Sequence, residues 1–190
     1  YLEKTKTSKR DRKAILGGIF FLKTKSQSLY FDVSAPPNKG FSKNYQSGPL
    51  SFEYFLDGKK IITNCGFGSN ISSKAELISR LTASQTTLTI NDTSITKFER
   101  NKLINRIFGN SIKSTFKTTD LKTKNEGKLT GCSALHNGYE KNFGCLHKRE
   151  VYLDLDSNKL KGVDHIIKKS DGIPIRYVFR FHLCPELTAV

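Results

Sequence analysis

The chain has 190 residues, 36% of them hydrophobic and 11% aromatic, with 32 Lys and Arg against 17 Asp and Glu for a formal charge of +15. That is apolar material for one sizeable domain, and too little length for two full ones. No window approaches the ~18 uninterrupted apolar residues of a membrane-spanning helix. The charged run 3–13 has none of the apolar centre of a signal peptide, and the chain contains no Met, which together predict an N-terminus that is missing or processed away. The excess positive charge suits a polyanion, whether nucleic acid, anionic lipid or acidic polysaccharide. Charge does not choose among these, and lysines scattered beside Asn and Ile also arise from biased codon usage with no partner at all.

In chain order, the dominant signal is alternation at period two, broken by turn residues. Leu29, Phe31 and Val33 share one face of a strand over 28–33, which Pro36 and Pro37 end because proline has no N–H for a ladder. A second strand, 50–56, runs into Asp57-Gly58 and returns over 59–66 as a tight hairpin. Residues 74–81 read as a short helix or irregular crossover, and 86–90 as a strand stopped by Asn91-Asp92. From 95 to 121 the pattern blurs: Phe98, Leu103, Ile104, Ile107 and Phe108 have near-helical spacing, but the segment as a whole reads as a loop-like excursion. Alternation returns in 151–155, with Val151, Leu153 and Leu155 on one face, and in 177–183, with Tyr177, Phe179, Phe181 and Leu183 on one face. The expectation is an all-β domain, an antiparallel β-sandwich, incomplete at its C-terminal end.

Cys65, Cys132, Cys145 and Cys184 are widely separated, with no C-x-x-C pair and hence no ribbon or finger zinc site. An even number permits two disulfides in an exported protein, but buried free thiols are the simpler reading.

Several segments in order carry a family likeness: Gly48-Pro49-Leu50-Ser51-Phe52-Glu53, Ile62-Thr63-Asn64-Cys65-Gly66, the stretch 80–88, His136-Asn137-Gly138-Tyr139, Phe143-Gly144-Cys145-Leu146-His147-Lys148-Arg149, and Arg180-Phe181-His182-Leu183-Cys184-Pro185. This series resembles the C-terminal part of bacterial heparinase II/III-like proteins, over residues 14–190, with 1–13 left as a charged linker or the remnant of a preceding domain. The resemblance implies a polysaccharide lyase in which an α/α toroid of helices precedes β-sandwich domains, with the active site between them; the toroid is absent from this chain. It implies β-elimination on a uronic-acid-containing polysaccharide, in which the acid's carboxylate is neutralised, a base takes the adjacent proton and an acid protonates the leaving oxygen. It further implies an acidic polysaccharide as partner and the bacterial cell envelope or periplasm as location.

The departures bear on chemistry. The resemblance implies histidines, associated with a metal or catalytic contribution, where this chain has Gln46 and Gln85, and a second histidine where it has Cys184. Glutamine is a poor transition-metal ligand and no acid or base near neutral pH, so no metal cofactor is expected.

Candidate catalytic residues are His136 and Tyr139, in a loop-like segment where Gly138 allows an unusual backbone, facing a cleft toward the toroid. Their alternative part is to hold the turn by hydrogen bonds. Arg149, next to His147 and Lys148 at the opening of a strand, is a candidate for an acidic sugar or else a solvated cationic edge. Arg180 and His182 share the strand face opposite Phe179 and Phe181, where a ligand or a second sheet lies. His165 reads as an exposed strand residue. The leading function is thus part of a polysaccharide lyase, inactive as a fragment. The alternative is a non-catalytic carbohydrate-binding or structural β-module. Nucleic-acid binding rests on charge only, since no helix-turn-helix, zinc motif or RNA-binding signature is present, and is not expected.

Overall fold

A computed structural model describes residues 15–169 and 176–187, so the expected linker 1–13 lies outside the described residues. The strands in chain order are β1 (Ile15–Leu16), β2 (Ile19–Lys23), β3 (Gln27–Asp32), β4 (Phe52–Leu56), β5 (Lys59–Thr63), β6 (Leu88–Ile90), β7 (Thr118–Glu126), β8 (Leu129–His136), β9 (Cys145–Asp154), β10 (Lys159–Lys168), β11 (Tyr177–Phe179) and β12 (His182–Leu183). Among the described residues three short α-helices interrupt them: α1 (Ser73–Ser79), α2 (Lys102–Phe108) and α3 (Glu140–Phe143). One sheet has the order β1-β2-β3-β4-β5-β12 and a second has β10-β9-β8-β7, with every pairing antiparallel; β6 and β11 make a separate two-stranded ribbon.

Alternation decides which faces meet. Phe20, Leu29, Phe31, Phe52 and Tyr54 from the first sheet pack on Cys132, Ala134, Val151 and Leu153 from the second, so rings on one layer meet small or branched side chains on the other. The β4–β5 hairpin forms on Asp57-Gly58 with φ of 49° and 77°, the pair of positive angles that a two-residue turn needs to match strand twist. Helix α1 starts at Ser72, whose side chain accepts from the Ala75 N–H at 3.1 Å. A second, smaller core gathers Leu88, Ile90, Ile95, Phe116, Tyr139 and Cys145. All four cysteines are free thiols.

The all-β sandwich agrees with the sequence pattern; several elements differ. The stretch 177–183 is not one strand: β11 pairs with β6 and β12 with β5, and Phe179, Phe181 and Leu183 remain 38%, 52% and 46% exposed. Its apolar residues are divided between two sheets and never form a single buried face. Between 95 and 121 the near-helical spacing does give α2, yet Leu103 and Ile107 point outward, and β7 already begins at Thr118. The β7–β8 hairpin was hidden because β7 is a polar edge strand with little apolar alternation. Leu155 falls beyond the end of β9 and is exposed.

Replacing the fully buried Leu153 by Ala is expected to lower stability by ~2–5 kcal/mol, whereas Leu103→Ala should stay within about 0.5 kcal/mol. Urea unfolding of the two variants checks that the core lies under β9 and not under α2.

Candidate functional site

Strand β9 buries every second residue: Cys145, His147, Arg149, Val151 and Leu153. Its core-facing row therefore changes from apolar to polar toward its start. Register then supplies partners on both sides, since His147 lies opposite His136 on β8 and Arg149 lies opposite Asp164 on β10. His136, His147 and Arg149 are 0%, 0% and 1% exposed.

The hydrogen bonds among them run in one direction. The Gly138 N–H donates to His136 Nδ1 at 3.1 Å, which leaves the proton of that ring on Nε2. His136 Nε2 can then donate to His147 Nδ1 at 3.2 Å, and His147 Nε2 to Asp164 Oδ1 at 2.7 Å. Both imidazoles are thereby neutral and of the same tautomer. Burial pushes the His136 pKa well below the ordinary 6.5, and nearby His147 and Arg149 push it further. Burial lowers His147 too, against the opposing hydrogen bond to Asp164. For Asp164, burial acts upward, but hydrogen bonds from His147 and Arg149 and the Arg149 charge outweigh it and hold the carboxyl at about 2. Gly138 permits the close approach at the head of this chain: a Cβ there would sit 2.4 Å from the Ile95 side chain.

Arg149 ends the chain and turns it into the packing. Its Nε and Nη2 donate to the two Asp164 oxygens at 2.7 and 3.1 Å, and its Nη1 donates to the carbonyls of Leu50 and Thr86 at 2.9 and 2.7 Å. The rings of Phe52 and Phe181 lie 5.6 and 5.8 Å from the guanidinium carbon. Asp164 and Arg149 border a cavity of about 190 Å3 walled by Phe52, Ile62, Leu160 and Phe181.

Four of the five residues singled out in the sequence clasp one segment, 82–93, which is buried throughout 84–90. Tyr139 Oη donates to the Leu88 carbonyl at 2.9 Å, and burial pushes its phenol far up. Arg149 holds Thr86, Arg180 donates to the Thr89 hydroxyl, and His182 Nε2 donates to the Ala83 carbonyl at 3.1 Å. His136 joins through His147. The expectation that His136 and Tyr139 face a cleft is not met: both rings are buried, and the Tyr139 hydroxyl is already engaged. Arg149 is neither on a free edge nor open to a sugar, because β9 is an inner strand between β8 and β10. Arg180 and His182 face a neighbouring segment, the structural half of the reading made for them. His165 is exposed on β10, with its imidazole 3.4 Å from Glu150.

The segment's own hydroxyls complete the clasp. Thr82, Ser84, Gln85, Thr86, Thr87 and Thr89 are all buried; Thr86 Oγ1 donates to the Thr63 carbonyl at 2.7 Å and Thr87 Oγ1 to that of Pro49 at 2.8 Å. Gln46 and Gln85, far apart in sequence, meet here: Gln85 Nε2 donates to the Ser79 carbonyl at 2.9 Å and to Gln46 Oε1 at 3.4 Å. An amide nitrogen turned onto two carbonyl oxygens does not fit a transition-metal site. Asp164 was not singled out from the sequence. The available cue was an acid whose parity in 159–168 matches the inward Leu160 and Ile166.

A sandwich of two antiparallel sheets whose interior ends in a buried His–His–Asp–Arg chain defines an all-β domain with an internal polar brace. A family model described as heparinase II/III-like, C-terminal, matches residues 6–190, and the chain belongs to that family. Among solved structures it is similar to heparinase III, with a TM-score of 0.59 and 17% identity over 87% of this chain and 23% of that one. The chain thus spans about a quarter of the length of that structure, and the likeness is one of fold. No curated protein matches the sequence significantly.

Two measurements bear on the brace. Arg149→Met leaves Asp164 and two buried carbonyls short of donors, and should cost ~3–5 kcal/mol in urea unfolding. Adding Asp164→Leu should return most of that loss, as expected when the penalty is an unpaired buried charge. For pH, both histidines have folded pKa values below the unfolded 6.5. The unfolded chain therefore binds more protons, and stability is full above about pH 6.5 and falls as pH drops below it. Asp164, depressed to about 2 from 3.8, gives stability that is lost only as pH falls through that lower range. The urea midpoint followed from about pH 8 to about pH 5 should decline in wild type and decline less steeply in His136→Gln, which leaves His147 in place.

Proposed function

We propose that this chain is the β-domain of a polysaccharide lyase acting on uronic-acid-containing polysaccharide by β-elimination. The observation that carries the reading is the family match over residues 6–190, on a fold shared with heparinase III. Elimination needs a neutralised carboxylate, a base for the adjacent proton and an acid for the leaving oxygen. Within this domain His136 is neutral, buried and committed to His147, and the Tyr139 phenol is held protonated on a backbone carbonyl. Base and acid are therefore proposed to come from an α/α toroid in a longer chain, with this domain supplying a rigid cationic flank. Alone, the 190 residues are proposed to bind but not to cleave. The Gln46–Gln85 contact supports work without a bound metal. A location in the bacterial cell envelope or periplasm follows from the family reading; among the described residues no helix is long and apolar enough to cross a membrane.

A second reading, a non-catalytic carbohydrate-binding or structural module, is favoured by the same burial of His136 and Tyr139 and by the carboxamides at 46 and 85. The complete reading frame around this sequence separates the two. Helical repeats encoded upstream, with release of ultraviolet-absorbing unsaturated uronate from heparan sulfate, alginate or polygalacturonate by the full product, are the expected result. A start codon directly before Tyr1 and no product from any of the three would leave the binding module.

A further inference from the structure

Away from the brace, two short segments run antiparallel. Phe98 and Ile112 form a bridge, with the Lys113 N–H on the Lys97 carbonyl at 2.7 Å and the Glu99 N–H on the Ser111 carbonyl at 2.8 Å. This register sets Lys97 directly opposite Lys113. Both side chains border the same two cavities, of about 830 and 470 Å3, and so form a ridge between them.

Like charges opposite one another destabilise an antiparallel pair. A sequence that retains such a conflict on its surface often does so for a function. Neutralisation from within is incomplete. Lys113 Nζ lies 3.2 Å from Glu99, and among the described residues Lys97 has no carboxylate in ion-pair range. Glu99 is itself 3% exposed at its side chain; it is shared with Lys39 at 3.8 Å and takes the N–H groups of Arg100 and Asn101 at 2.9 and 3.0 Å. Its charge is spent inward.

The cavities add detail about what would lie there. Thr96 borders the larger one, is 1% exposed, and its Oγ1 has no hydrogen-bond partner among the described residues. Leu77 and Ile78 give that cavity an apolar wall, and Arg100 stands at its rim. The smaller one carries Thr115, Asn137, Asn142 and Lys141. Both volumes lie in the ~300–1,000 Å3 range of ligand sites. One face of the Phe98 ring at this cavity is covered by the Arg80 guanidinium at 4.3 Å. Short hydroxyl and amide groups around paired cations suit the hydroxyls and carboxylates of an acidic sugar.

We infer that Lys97 and Lys113 form an anion-binding ridge that seats a carboxylate of a uronate-bearing glycan, with the flanking sugars in the cavities on either side. This rests on the reading of the domain as part of an enzyme for acidic polysaccharide, and locates the contact outside the brace, beside the 136–139 segment that the brace holds. The test is calorimetric titration of the 190-residue chain with short heparan sulfate and polymannuronate oligosaccharides, with an uncharged manno-oligosaccharide beside them. Lys97→Glu is compared with Lys59→Glu, an equal charge change on the distant, exposed β4–β5 hairpin. Wild type should bind at least one acidic glycan and not the neutral one. Lys97→Glu should weaken binding by about tenfold or more, and Lys59→Glu by less than about twofold. Lys97→Glu should also melt at or above the wild-type temperature, because it turns a like-charge pair into an opposite one. If it melts lower, Lys97→Gln provides the binding comparison in its place. Equal binding by wild type and the Lys97 variant, or equal weakening by the Lys59 variant, overturns the ridge while leaving the acidic-glycan reading intact. Failure of wild type to bind either acidic glycan overturns both.

Discussion

The arrangement of this domain depends on one buried guanidinium. Arg149 sits between the sheets with 1% exposure, where an unpaired charge would cost several kcal/mol, and four of its five N–H groups donate to protein oxygens. Two donors go to Asp164 on the neighbouring strand, and one nitrogen goes to two carbonyls on separate connections. Lysine would not serve in its place, because only a planar fork reaches a carboxylate and two backbone groups at once. One of those carbonyls belongs to Leu50, a fully buried non-glycine residue at φ 58°. A left-handed backbone costs roughly 1–2 kcal/mol for such a residue, and the Arg149 bond is one of the contacts that hold it.

From this point the polar interior spreads in two directions. Along the sheet, the His147–His136 pair carries hydrogen bonding back to the Gly138 amide, and fixes the 136–139 segment from inside. Across the sandwich, Thr86 anchors the segment 82–93, which makes little sheet of its own and satisfies its backbone through side chains of Asn64, Tyr139, Arg149 and His182. A segment so held loses its freedom on folding and provides a stiff mount for whatever the loops beside it contact. Low dielectric and hydrogen bonding keep both imidazoles neutral and the phenol protonated.

The outer surface carries the opposite character. Lysines and arginines outnumber acids by 32 to 17, and at the Lys97–Lys113 ridge they face each other with one shared, buried acid nearby. Inside, the Arg149 charge is paired with Asp164, whereas the surface retains an unbalanced cluster. This division is consistent with a domain whose core braces a scaffold and whose loops meet an anion.

By itself the sequence determined the class of the domain and much of its first sheet. Period-two alternation around Leu29 and Phe31 and the Asp57-Gly58 turn depend on local rules, because side-chain parity and turn angles belong to neighbouring residues. It also marked Tyr139, Arg149, Arg180 and His182 as unusual among their neighbours. What it did not contain was direction. Whether Arg149 points outward to a sugar or inward to Asp164 depends on β9 being an inner strand. The division of 177–183 between two sheets depends on which edges lie within reach. The meetings of Gln46 with Gln85, His136 with His147 and Lys97 with Lys113 each join residues from separate segments. Only the tertiary structure decided these, because register and strand order are set by the packing of the whole chain, and a one-residue slip of β9 would have turned His147 and Arg149 to the other face.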